Sequence, residues 1–133
     1  MENRIYSING PVVTVKDTSD FSMMEMVYVG DKRLMGEVIG ITKDRTTIQV
    51  YESTTGLKPG ELVIGSGDLL SVTLGPGILT NIFDGIERPL KSIMEDEGAF
   101  IAEGQNIASL DISKKWDTHI LIKEGEEVEG GMI

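Results

Sequence analysis

The sequence predicts a mainly β protein: a small closed six-stranded β-barrel, then a short helical linker, then the start of a β-hairpin or sandwich insertion. Three observations lead there. Short β-branched runs recur through the first 74 residues at the spacing of small barrels. Turn residues separate them, within a chain that carries 16 glycines. Aromatic residues are only 5% of the chain, which suits a turn-rich β protein rather than a helical bundle.

The first strands are Arg4–Ile8 and Val12–Val15, split by Asn9-Gly10-Pro11. Asn-Gly supplies the positive φ of a tight turn, and Pro restarts extended chain. Met23–Val29 is apolar apart from Glu25 and is broken by Gly30-Asp31-Lys32-Arg33. Leu34–Ile41 then carries Gly36 and Gly40, and glycine inside a strand points to a bulge or sharp barrel curvature. Lys43-Asp44-Arg45 turns the chain into Thr46–Tyr51, whose alternation places Ile48 and Val50 on one face. Leu62–Ile64 and Leu69–Leu74 complete the set, with Gly65-Ser66-Gly67 read as a turn between them.

Arg88–Glu95 is the helix candidate, with Pro89 in the first turn and Leu90, Ile93 and Met94 sharing a face. A weak repeat follows at an offset of 21 residues, pairing Phe100–Ile107 with Leu121–Val128. Each copy reads as a strand, a Glu-Gly turn and a return strand. The domain reading is therefore a barrel over 1–70, a crossing segment over 71–97, and the beginning of a β-rich insertion over 98–133. The chain stops at Gly130-Gly131-Met132-Ile133, where the second return strand should continue, and reads as a piece of a longer polypeptide.

A net charge of −10, with no Lys/Arg cluster, argues against nucleic acid, because phosphate binding rests on counterion release by clustered cations. The acid is uneven. Residues 95–133 hold ten Asp or Glu against three Lys, and residues 1–94 hold twelve against nine Lys or Arg. With no cysteine there is no disulfide framework, thiolate metal site or thiol nucleophile. Neither a signal-peptide pattern nor an apolar run near the ~18 residues of a membrane span occurs, so the chain reads as soluble and cytoplasmic.

Candidate chemistry is sparse. A P-loop needs glycines that let backbone amides cradle phosphate, followed by Lys and Ser/Thr; no Gly-Lys dipeptide exists here. Gly75-Pro76-Gly77 reads as a turn, since Pro76 removes an amide donor. His119, the sole histidine, lacks the companions of a zinc site, and the acidic runs Glu95-Asp96-Glu97 and Glu124–Glu129 lack calcium-loop spacing. Asp84 and Glu87 are near enough to share an acid–base site, but a structural salt bridge to the adjacent Arg88, or a helix N-terminal anion, is the better account. Lys114-Lys115 beside Trp116 raises a second reading, a lipoyl or biotinyl carrier-like module, although the local residues are not those of a carrier hairpin. No catalytic, cofactor-binding or metal-ligating residue is assigned.

Several strings do carry an identity. Ile8-Asn9-Gly10-Pro11-Val12-Val13 opens the series, followed by Met24–Gly30 and Leu34-Met35-Gly36-Glu37-Val38-Ile39. Gln49-Val50-Tyr51-Glu52 with Thr54 and Gly56-Leu57 is more specific. So is Leu74-Gly75-Pro76-Gly77-Ile78 with Asn81–Ile86 and Arg88-Pro89-Leu90. Leu110-Asp111 and Lys114-Lys115-Trp116-Asp117 close it, although Thr118 stands where an aromatic is usual. Together they resemble the catalytic A subunit of V-type and archaeal-type rotary ATPases over essentially the whole chain.

That resemblance implies a barrel belonging to a crown in which A and B subunits alternate, with other soluble-sector subunits as further partners. It implies a parent that makes or hydrolyses ATP with magnesium, coupled to proton or sodium transport, peripheral to a membrane. The family's P-loop, catalytic Glu and Walker B carboxylate match no position here. The 133-residue chain is thus expected to bind no cofactor and to be inactive itself.

Overall fold

The computed structural model describes residues 2–16, 20–104 and 107–131. Its strands are β1 (Ile5–Asn9), β2 (Val12–Lys16), β3 (Glu25–Val29), β4 (Leu34–Ile41), β5 (Arg45–Val50) and β6 (Val63–Leu69). All pair antiparallel in one sheet of order β1-β2-β5-β4-β3-β6. The outer two strands then meet across a short seam. Arg4 bridges Leu62, the Ile5 amide donates to Glu61 O (2.9 Å), the Gly60 amide to Ile5 O (2.8 Å), and the Val63 amide to Asn3 O (2.8 Å). The seam satisfies backbone groups that an open sheet would leave bare, and it closes the barrel.

Period-two alternation sorts the side chains. Val13 and Val15 of β2, Val27 and Val29 of β3, Leu34 and Val38 of β4, and Ile48 and Val50 of β5 all point into one core. Ile5, Phe21 and Val63 complete it, with Ile8 and Leu57 packed at its margin. Thr46 shares the inner face of β5 and is fully buried.

The turns follow the residues that demanded them. Asn9 pairs with Val12 around Gly10-Pro11, and Val29 with Leu34 around residues 30–33. The register of β4 against β5 shifts between Val38 and Gly40, so a bulge does accompany the second glycine of that strand. At Gly36 a Cβ would stand 2.8 Å from Gln49 O and 3.0 Å from Ile48 Cγ2; the glycine admits close strand approach rather than a turn.

One part of the strand reading is corrected. Gly65-Ser66-Gly67 is no turn between two strands but lies inside β6, which ends at Leu69; residues 70–74 form no strand. Between Val27↔Gly65 and Glu25↔Leu69 the β6 side spends two extra residues, and the Glu25 carboxylate fills that bulge. Its Oε1 accepts the Gly67 amide (3.1 Å) and its Oε2 the Ser22 amide (2.7 Å). Glu25 is 5% exposed, a buried acid whose oxygens stand in for missing ladder bonds.

Beyond the barrel, a 3-10 turn spans Ile78–Thr80 and a helix, α1, spans Leu90–Glu97. Pro89 directly precedes α1, and the Gly98 amide closes it on Met94 O (3.0 Å). Ile93 is fully buried and Leu90 partly, whereas Met94 is exposed: one residue further round the helix turns it off the packed face. The paired hairpins expected over 98–133 are not present as strands among the described residues. The Glu103-Gly104 and Glu124-Gly125 turns do form, but their flanks stay irregular. An isolated two-stranded hairpin is marginal without a third strand or a helix to cover it. Gln105 and Asn106 in the first expected hairpin, and Met132 and Ile133 at the chain end, lie outside the described residues. No helix among the described residues is long and apolar enough to cross a membrane.

Candidate functional site

The densest polar arrangement lies where β5 leaves the barrel and the crossing segment passes it. The loop from Phe83 to Pro89 is closed by an antiparallel bridge between those two residues, and the Leu90 amide reaches Ile82 O (3.0 Å). Inside it, Asp84 Oδ1 accepts the amides of Ile86 (3.1 Å) and Arg88 (2.9 Å). Asp is suited to this role, because its short carboxylate reaches the backbone two residues on. The loop in turn aims the Arg88 guanidinium. Nε donates to Asp84 Oδ2 (2.7 Å) and Nη1 to Glu52 Oε2 (2.9 Å).

The three side chains are nearly dry: 13% exposed for Arg88, 7% for Glu52 and 19% for Asp84. Burial alone would raise the Asp84 carboxyl, but backbone and side-chain hydrogen bonds from Arg88 hold it below its ordinary 3.8. Burial likewise disfavours the charged guanidinium, yet Asp84 and Glu52 raise its affinity for the proton above the ordinary value. The arrangement is a closed ion triad with every charge answered. It presents no free general acid, base or nucleophile.

Asp84 and Glu87 do not share a site. Glu87, at φ +63°, turns its carboxylate to the Thr73 amide (3.1 Å) and pins the stretch after β6. Beside Glu52, the Tyr51 hydroxyl donates to the Glu37 carboxylate, and burial followed by that acid pushes its pKa up to about 12. A proton held more tightly in the folded state contributes stability that is complete below pH 10.0 and is lost as pH rises toward 12. Tyr51→Phe is therefore expected to flatten the alkaline limb of the pH–stability curve, read by thermal melts at rising pH. An unchanged limb would show that this phenol is not linked to unfolding.

Asp84 gives the opposite sign. Its depressed pKa contributes stability that is present above 3.8 and lost as pH falls through the lower folded value. In melts between about pH 2 and 6, Asp84→Asn should be less stable than the parent at the upper end and lose less on acidification. Equal acid slopes for the two proteins would contradict the linkage.

The Gly75-Pro76-Gly77 turn serves packing. A Cβ on Gly75 would lie 3.0 Å from Leu110 Cδ1, and one on Gly77 3.2 Å from Trp116 Cζ2. The space beside both glycines is taken by the chain's own side chains, and Pro76 carries no amide donor. Trp116 thus anchors this turn, with Lys114 Nζ 4.3 Å from its ring centroid. Lys114 closes an exposed turn begun by Asp111 and Lys115 follows it, neither lying between paired strands, and His119 is exposed. The carrier-like reading loses its hairpin.

Two of the conspicuous sequence strings are therefore in contact. Glu52 belongs to the first and Arg88 to the second, and Leu110 and Trp116 of a third cover Gly75 and Gly77, which open the second. A six-stranded antiparallel barrel with a seam between its outer strands, its exit ion-paired to the following loop, defines a β-barrel module.

Known proteins agree in detail. The family described as "ATP synthase alpha/beta family, beta-barrel domain" matches residues 5–67. The chain is 53% identical over 133 residues to the A subunit of the A-type ATP synthase of Methanopyrus kandleri, covering all of this chain and 22% of that protein. It is 50% identical over 129 residues to a V-type ATP synthase alpha chain 2 from Clostridium tetani, covering 97% of this chain and 22% of that one. Among solved structures, the assembled ATPase EscN of the enteropathogenic E. coli type III secretion system superposes with a TM-score of 0.60 at 24% identity, over 66% of this chain and 21% of that one. That likeness bears on the fold. The chain belongs to the ATP synthase alpha/beta family, among the A subunits (alpha chains) of A-type and V-type ATP synthases. It spans 22% of the length of these relatives.

Two buried acids, Glu25 in the bulge of β6 and Glu52 at the barrel exit, escape a reading of the sequence. There Glu25 stands out only as an interruption, and Glu52 only as a letter in a string. For both, the available signal is an acid set among residues that otherwise alternate toward the core.

Proposed function

We propose that this chain supplies the barrel and exit segment of a catalytic A subunit in an A/V-type ATP synthase. In this reading residues 1–70 stand in a crown beside B-subunit barrels. Residues 71–97 lead toward the nucleotide-binding domain, and 98–133 begin the insertion. The whole subunit makes or hydrolyses ATP with magnesium, coupled to proton or sodium transport, as part of a soluble sector peripheral to the membrane on its cytoplasmic side. The role of these 133 residues is assembly rather than chemistry. The observation that carries the reading is the 53% identity over all 133 residues.

The test has two arms. Titration of the purified chain with Mg-ATP should release no binding heat, and a micromolar dissociation constant would overturn the assembly-only role. Mixing the chain with a cognate B subunit should produce a heavier species in sedimentation. Failure of the two to associate at tens of micromolar would remove the crown contact.

A further inference from the structure

Glu52 serves more than the crossing loop. Its Oε1 accepts the Met35 amide of β4 (3.3 Å), while Oε2 accepts both Arg88 Nη1 (2.9 Å) and the Gly104 amide (2.9 Å). Gly104 lies in the segment after α1, and its contact with the barrel is tight. At φ +71°, with its Cα against the Lys32 carbonyl, any Cβ there would overlap that oxygen. The neighbouring Glu103 carboxylate pairs with the Lys32 ammonium, in the turn between β3 and β4. The arm is thus docked by a backbone amide, a glycine-only fit and an ion pair, all at the mouth of the barrel that also holds Arg88.

We propose that Glu52 is a positioning residue that couples the crossing loop and the post-helix arm through one shared carboxylate oxygen. The docked arm covers the Arg88–Glu52 pair, and Arg88 in turn holds the oxygen at which the Gly104 amide docks. Loosening either segment loosens the other, and more than it loosens the barrel core. The coupling is a property of this chain and stands apart from its proposed role in assembly.

Hydrogen exchange on the full chain tests it, read on peptides covering 84–88, 100–104 and the core strands β2 and β5. A glutamine at position 52 offers a single acceptor oxygen and no charge, so it cannot satisfy Met35, Arg88 and Gly104 together. In Glu52→Gln both outer peptides should exchange about tenfold faster, well beyond any acceleration of the core. Acceleration of one outer peptide alone, or of the core to the same degree, overturns the proposal.

Gly104→Ala supplies a second route that leaves the core and Glu52 intact. It should free 100–104 and uncover the ion pair, so that exchange at 84–88 becomes about threefold faster on raising the salt to roughly 0.5 M. Release of the arm with 84–88 still indifferent to salt would mean the two segments are held independently.

Discussion

Arg88→Met is expected to lower the unfolding free energy by about 3 kcal/mol, because it strands two carboxylates that the guanidinium now answers. Glu52 is the costlier of the two: 7% exposed, it would keep its charge in a nearly dry site with only two backbone amides as partners. A second substitution supplies the control. Adding Glu52→Gln to Arg88→Met removes the stranded charge and should return a large part of the loss, giving a strongly non-additive double-mutant cycle. Urea unfolding reads both quantities from shifts in midpoint at constant slope. A single-mutant loss under about 1 kcal/mol would place the pair with ordinary exposed salt bridges and remove the reason for treating Arg88 as the bolt of this region.

Ile48→Ala should cost about 4 kcal/mol, and for a different reason. Ile48 is fully buried and pairs in register with Val13 of β2 on one side and Val38 of β4 on the other, so three fully buried residues form one row across the barrel. Truncation there removes transfer energy and leaves a cavity that closed strands cannot collapse to fill. Ile64 of β6 is the comparison: it is 47% exposed, and its change to Ala should stay below about 1 kcal/mol. Comparable losses at the two sites would mean that the inner and outer faces are not distinguished as described.

The barrel is largely legible in the sequence because its information is local. The alternation in 46–50 and 12–15 states which face is inward, and Asn9-Gly10-Pro11 and Gly30–Arg33 state where the chain reverses. Gly65-Ser66-Gly67 reads wrongly as a turn for the same reason. Its local chemistry is turn chemistry, and its place in a strand comes from pairing with β3 and from the Glu25 carboxylate, contributed by a residue 42 positions before Gly67. The Arg88–Glu52 contact, 36 positions apart, carries no local signature either. Each string is conspicuous, but nothing in their letters says that they touch. The expected hairpins after Gly98 show the converse, local turn signals that form their turns without strands beside them.

The seam between Arg4 and Leu62 has a consequence for how the protein is made. Arg4 needs a partner that is translated 58 residues later. Until then a growing chain holds β1 to β5 with both borders of the sheet unpaired, the state in which neighbouring nascent chains can zip together. Contacts of such separation are also the slow ones to form. Both borders of this sheet are covered only once β6 has been made as far as Leu69.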